Sequence, residues 1–274
     1  EISDLTIIDP KSEENEATRN RFGELLFAKR NRKGYNLYEA KKIMRERNYF
    51  GCMMVEQGEA DALITGLTRK YPDTLRPVLE IIGVNKVVNK LAGMYVMLTK
   101  RGPICFADTT INEFPTAQDL VDITLLASEN LRSLNVKPKV AMLSYSNFGS
   151  SSLAEAKKVK QAVDILHEKY PDIIVDGEVQ GSVAFNSELL KENYPFSTLI
   201  DNSPNILIFP NLAAGNIAYH LMMELGNSEA VGPILLGLNK SVHVLQLGSS
   251  VRQIVNMVAI ASVDSYMKRK KQTT

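Results

Sequence analysis

Four short runs constrain this chain most: Ala62-Leu63-Ile64-Thr65-Gly66, Val140-Ala141-Met142-Leu143, Ile173-Ile174-Val175 and Ile206-Leu207-Ile208-Phe209. None alternates apolar with polar residues, as a strand with one wet face would. A strand that is apolar throughout has to be covered on both sides, and the stretches between these runs carry helical spacing. The class this implies is α/β, with largely parallel sheets layered by helices. Two further strands are expected at Met94 to Thr99 and Ile104 to Ala107.

The helices carry their own punctuation. A polar helix is expected to run to about Arg30, closed by the basic turn Lys29 to Gly34. Asn36 with Glu39 three residues on reads as a capping box, and Leu37, Ala40, Ile43 and Met44 as the apolar stripe behind it. A short apolar helix from Tyr49 to Glu56 stops at Gly58, and 62–66 is expected as a buried strand. Asp73 reads as the N-cap of a helix that tolerates Pro77 in its first turn. A long helix opens at Thr116, with Leu120, Ile123, Leu126, Ala127 and Leu131 at core spacing.

Charge and cysteine content exclude several functions. Net charge is +1 over 274 residues, which argues against a nucleic-acid binder, and Lys268-Arg269-Lys270-Lys271 reads as a solvated tail. No apolar run approaches the ~20 residues of a membrane span. Cys52 and Cys105 have neither metal nor disulfide spacing and suit a reducing cytoplasm. The opening at Glu1, directly into a strand-like Leu5 to Pro10, reads as a piece of something longer.

Candidate chemistry concentrates in a few places. Ser144-Tyr145-Ser146-Asn147-Phe148-Gly149-Ser150-Ser151, between a strand and a helix, offers hydroxyls and backbone donors to one anion. A serine-rich capping turn is the plainer reading of the same residues. It is neither a Walker loop nor a dinucleotide fingerprint. Asp176 and Glu178 at a strand end suit acid–base work or, equally, a strand-to-helix turn. Arg30 and Arg76 suit bidentate capture of a carboxylate or phosphate. His167, His220 and His243 form no cluster.

Near the end lies Gly232-Pro233-Ile234-Leu235-Leu236-Gly237, then Val242 to Leu247, then Gly248-Ser249-Ser250 opening a helix. Ser249 or Ser250 can cap that helix, and Val251, Ile254, Val255 and Val258 fall on one face. Its start turns N–H groups toward an anion.

Ordered blocks along the whole chain resemble the phosphate acetyltransferases. They include Ile7-Ile8-Asp9-Pro10, Asp73-Thr74-Leu75-Arg76-Pro77, Phe106-Ala107-Asp108, Ala141 to Ser150, Asp176 to Gln180, Gly215-Asn216-Ile217 and Gly232-Pro233. The resemblance implies two interleaved α/β domains with an interdomain cleft, an architecture shared with isocitrate and isopropylmalate dehydrogenases. The expected bounds are 1–87 with 234–274 for the first and 88–233 for the second. It implies acetyl-CoA and phosphate contacts at Arg30, Arg76, Ser144, Ser146, Asn147, Gly149, Ser150, Asn216, Gln246, Gly248 and Ser249. Where that family carries a catalytic serine, arginine and acid, this chain has Gln246, Leu247 and Gln253, and Glu224 replaces a further arginine.

A transferase frame without those groups is similar to the C-terminal domain of hybrid bacterial malic enzymes. That resemblance implies a catalytically silent chain that binds acetyl-CoA as an effector and forms dimers or higher homo-oligomers in the cytoplasm. It also implies no cofactor of the chain's own. NAD(P), a divalent metal and malate decarboxylation would belong to a fused malic enzyme domain. An active phosphate acetyltransferase and a purely structural oligomerisation module are the alternatives.

Overall fold

A computed structural model describes residues 5–85, 88, 90–226 and 228–272 of the chain. The expected positions Glu1 and 87 (a domain start and a domain boundary) lie outside the described residues. The chain divides into two compact units, Glu1–Val84 with Leu238–Thr274, and Asn85–Gly237. Within the first unit run α1 (Glu16–Arg30), α2 (Leu37–Ile43), α3 (Arg47–Glu56), β1 (Ala62–Thr65) and α4 (Tyr71–Ile81). The second unit follows with β2 (Ala92–Thr99), β3 (Gly102–Ala107), α5 (Ala117–Ser133), β4 (Lys139–Leu143), α6 (Ala154–Lys169) and β5 (Ile174–Val179). It continues through α7 (Gly181–Ala184), α8 (Ser187–Asn193), β6 (Ile206–Ile208), α9 (Leu212–Glu224) and β7 (Glu229–Leu236). The chain then returns to the first unit for β8 (Ser241–Val244) and α10 (Val251–Gln272).

The second unit is built on a six-stranded sheet in the order β5-β4-β6-β3-β2-β7. Strands β5, β4, β6 and β3 are parallel to one another; β2 runs antiparallel to both of its neighbours, β3 and β7, so it alone is reversed in the sheet. The apolar runs account for this, since Val140, Ala141, Met142, Ile206 and Ile208 are all essentially inaccessible. Leu120, Ile123, Leu126, Ala127 and Leu131 of α5 are buried as their spacing requires, behind a capping box of Thr116 and Asp119. Tyr95 of β2 stacks on Tyr219 of α9 with ring centroids 4.3 Å apart.

The first unit's two strands, β1 and β8, pair in parallel, Ala62 opposite Ser241 and Thr65 opposite Val244. Gly66 ends β1 in the left-handed region, and a Cβ there would lie 2.2 Å from the Leu245 carbonyl oxygen, so no other residue fits.

Several expectations are corrected here. Strand β1 is half-buried along its length, not buried. Helix α4 begins two residues before Asp73, with Pro72 in the first turn, where a missing N–H costs nothing. Asp73 is therefore inside the first turn, and Pro77 sits mid-helix, buried. Strand β5 extends to Val179, so Asp176 and Glu178 lie within the strand. Helix α10 turns the opposite way from the expected stripe. Met257, Ala261 and Ser265 are buried, whereas Val251, Val255 and Val258 are 77, 60 and 50% exposed. The helix is apolar on two sides, and spacing alone does not say which side the core takes.

Candidate functional site

Arg30 ends α1 and Arg76 lies in α4, and Glu80, one turn after Arg76, meets both. The Glu80 Oε1 accepts from Arg76 Nε at 3.0 Å, and a terminal nitrogen of Arg30 stands 4.0 Å away. The other carboxylate oxygen, Oε2, accepts from the hydroxyls of Tyr35 and Tyr49, each at 2.6 Å. The two phenols are themselves 3.3 Å apart. Burial pushes the Glu80 carboxyl up, but the two phenols and Arg76 together outweigh it and hold the group below the usual carboxylate range. Burial, then Glu80, raises both tyrosines. Bonding to Glu80 raises Arg76 further. The cluster therefore keeps its charges: an ionised carboxylate between two cations.

Arg76 and Tyr35 form part of the wall of a cavity of about 650 Å³. Lys11, Lys33, Lys42 and Arg45 also line it, against Glu39 and Glu46. Glu39 is committed to the capping box with Asn36, and Glu46 pairs with Arg69 at 2.5 Å. Five cations against two engaged acids leave a net positive hollow, and focused positive potential in a concave site selects anions. Gly34 supplies the left-handed turn that brings Lys33 and Tyr35 to its rim.

The serine turn of the second unit is a different object. Glu178, only 1% exposed, sits inside it. Its Oε1 accepts from Ser146 Oγ at 2.8 Å and from Gly149 N at 2.7 Å. Five further N–H groups close on the turn's neighbours. Ser146 N donates to Ser144 Oγ, Asn147 N to Ser150 Oγ, Phe148 N to the Glu178 carbonyl, Ser150 N to the Asn147 carbonyl, and Ser151 N to Ser146 Oγ. The helix it precedes starts only at Ala154. The expectation of a phosphate cradle at Ser144, Ser146, Asn147, Gly149 and Ser150 is corrected accordingly. Ser146 Oγ and Gly149 N already hold an acceptor, and it is the protein's own Glu178 side chain.

Asp176 is likewise structural, accepting from Gly177 N at 2.9 Å and Thr198 N at 2.8 Å. Ser144 also borders a second, smaller cavity of about 370 Å³ with Tyr145, Glu155 and Phe209. Asn216, in α9, donates to the Thr109 carbonyl at 3.2 Å, next to Asp108. The Asp108 carboxylate gathers the N–H groups of Gly93, Thr110, Ile111 and Asn112. Glu224 is the exposed last residue of α9.

Gln246, Leu247, Gly248 and Ser249 form the link from β8 to α10, where Ser249 Oγ donates to the Gln246 carbonyl at 2.9 Å and Leu247 is 63% exposed. Gln253 closes a capping box. Its Oε1 accepts from Ser250 N at 2.8 Å and its N–H donates to Ser250 Oγ at 3.2 Å. Ser250, not Ser249, thus caps α10. His243 is fully buried, 3.5 Å from Asp264, and His167 meets the Val175 carbonyl at 2.8 Å.

Sequence reading found both arginines but missed Tyr35, Tyr49 and Glu80. Only the i, i+4 spacing of Arg76 and Glu80 signalled the cluster. Among the described residues no group of three or more His, Cys, Asp and Glu side chains could hold a metal ion. No helix there is long and apolar enough to cross a membrane.

Comparison with known proteins bears on these features together. Residues 1–262 match the model of the phosphate acetyl/butaryl transferases. The chain is 37% identical over 273 residues to the phosphate acetyltransferase of Clostridium acetobutylicum, covering 97% of this chain and 80% of that protein. It is 39% identical over 233 residues to the NADP-dependent malic enzyme of Haemophilus influenzae, of which it spans only 31%. The EutD phosphotransacetylase structure from Staphylococcus aureus superposes with a TM-score of 0.85 at 31% identity, over 97% of this chain and 80% of that one. The expectation that this chain is not itself an enzyme is overturned by these matches to most of the length of phosphate acetyltransferases.

Proposed function

This chain belongs to the phosphate acetyl/butaryl transferase family, and on that premise we propose that it exchanges a short acyl group between phosphate and the thiol of coenzyme A. The observation that carries the reading is the cationic cavity, with Arg76 and Arg30 tied to one ionised carboxylate. In the forward sense the thiolate sulfur attacks the acyl carbonyl carbon and a carbon–sulfur bond forms. The bond from that carbon to the phosphate oxygen breaks, and phosphate leaves with the electron pair. Guanidinium groups bind phosphate in bidentate fashion, and the positive hollow suits coenzyme A, which carries several phosphate charges.

A carboxylate base at position 253 would take the thiol proton, but an amide cannot, and Gln253 is engaged in capping α10. The proton therefore goes to solvent. The rate should follow the thiolate fraction, climbing about tenfold per pH unit below a thiol pKa of ~8.5. The test is thioester formation by the pure chain from acetyl, propionyl or butyryl phosphate and coenzyme A. Absence of thioester from all three, above a heat-killed control, would sink the reading.

Likeness to part of a malic enzyme favours a second role, in which the chain is joined to a malate-oxidising partner and bound acetyl-CoA restrains it. Binding couples to such a partner only through different affinity for two states. Malate oxidation that ignores acetyl-CoA in a fused protein would exclude this. The exposed Val251, Val255 and Val258 of α10 support self-association, which light scattering at micromolar protein would show as a mass above 30.5 kDa.

A further inference from the structure

The Glu80 carboxylate is placed where a binding site for anions would least be expected to keep one. It lies against two arginines and repels whatever anion they attract. Its surroundings nevertheless hold it firmly. Tyr35 comes from the turn after α1, Tyr49 from α3 and Arg76 from α4, so three separate segments converge on two oxygens. Arg76 is otherwise a 71% exposed side chain with rotatable bonds along its whole length. On Glu80 it spends only Nε, at 3.0 Å, which leaves the outer edge of the guanidinium fork uncommitted to that carboxylate. Arg76 also lines the cationic cavity.

We infer that Glu80 is a positioning residue: braced by Tyr35 and Tyr49, it fixes Arg76 with its two terminal nitrogens offered to the phosphate groups of the ligand. The inference rests on the reading of this cavity as the coenzyme A site. Two effects oppose each other. Removing the negative charge relieves repulsion of the ligand, whereas releasing Arg76 makes binding bear the cost of ordering a long side chain. The Glu80 charge is already compensated by the two guanidinium groups and the two phenol donors around it, so its repulsion of a ligand is small, while lost pre-organisation has no such offset. The second effect should prevail.

A double-mutant cycle on the full chain decides it, read by calorimetric titration of coenzyme A and by turnover. Glu80→Gln is expected to raise Kd and KM for coenzyme A about tenfold with kcat within about twofold. Arg76→Ala should cost at least as much. The double variant should be no worse than Arg76→Ala alone, because Glu80 acts through that arginine. Tyr49→Phe, which keeps the ring and removes one brace, should show about threefold weaker binding and serves if Glu80→Gln does not fold. Unchanged or tighter binding in Glu80→Gln, or full additivity in the cycle, would overturn the inference. Wild-type binding without turnover would overturn the transferase reading and leave the positioning role standing on its Kd values. Failure of the wild type to bind coenzyme A would overturn both.

Discussion

Each unit of this protein contains a carboxylate wrapped by hydroxyl donors next to an anion-friendly surface, yet the two are put to opposite use. In the second unit Glu178 lies inside the serine turn and absorbs Ser146 Oγ and Gly149 N. In the first unit Glu80 is held by two tyrosines behind the arginines, and Arg76 gives it one N–H of its fork. The contrast teaches that a donor-rich segment is not a binding site until its donors have been accounted for. Backbone and hydroxyl donors are obligatory partners, so a turn this crowded finds an internal acceptor where one is in reach.

The sharpest way to break the comparison is Glu178→Ala. It removes two buried hydrogen bonds and strands their donors, so unfolding free energy should fall by ~3–5 kcal/mol in urea titration. A loss under about 1 kcal/mol would mean the turn does not depend on its carboxylate. Next is Arg76→Ala. The side chain is mostly exposed, so unfolding should hardly change while coenzyme A affinity drops about tenfold or more. Smaller still is Ser150→Ala, which removes the acceptor of Asn147 N. About 1 kcal/mol of stability should be lost with coenzyme A affinity unchanged. Weaker ligand binding in that variant would restore the cradle reading and erase the contrast.

The mildest test uses acid. Because Glu80 is held below the usual carboxylate range, its contribution is present above the unfolded value of ~4.3 and lost as pH falls through the lowered one. Stability of the wild type and of Glu80→Gln should therefore differ at neutral pH and converge as pH falls through the lowered Glu80 value. Curves that stay parallel would show the carboxylate to be uncoupled from folding.

Much of the second unit could be read from residues alone, since its elements announce themselves locally. Thr116 with Asp119 caps α5, and unbroken apolar runs become β4 and β6. Helix α10 was legible as a helix but not in its orientation, because valines and alanines give both of its sides a claim to the core. The arginines were found by residue type. What arranges them was hidden, because Tyr35, Tyr49 and Glu80 have no periodic relation and meet only when three segments pack. Glu178 was noticed as an acid, but its occupancy of the turn joins residues some thirty positions apart, and no local pattern encodes that.

The parallel pairing of β1 with β8 has a consequence for how the molecule is made. As the chain leaves the ribosome, α1 to α4 and β1 emerge first, but Ser241 to Val244 follow only after the whole of Asn85 to Gly237. The second unit has all of its sheet within one continuous stretch and is free to fold while the first still waits. Until β8 arrives, β1 presents an unmatched edge, the kind of surface through which nascent chains pair wrongly. Joining ends so distant costs little extra once the intervening segment is compact, since closure entropy grows only with the logarithm of a flexible loop. The first unit is therefore the part of the protein whose completion depends on its last-made strand, and slowed synthesis after Gly237 should delay it more than the second unit.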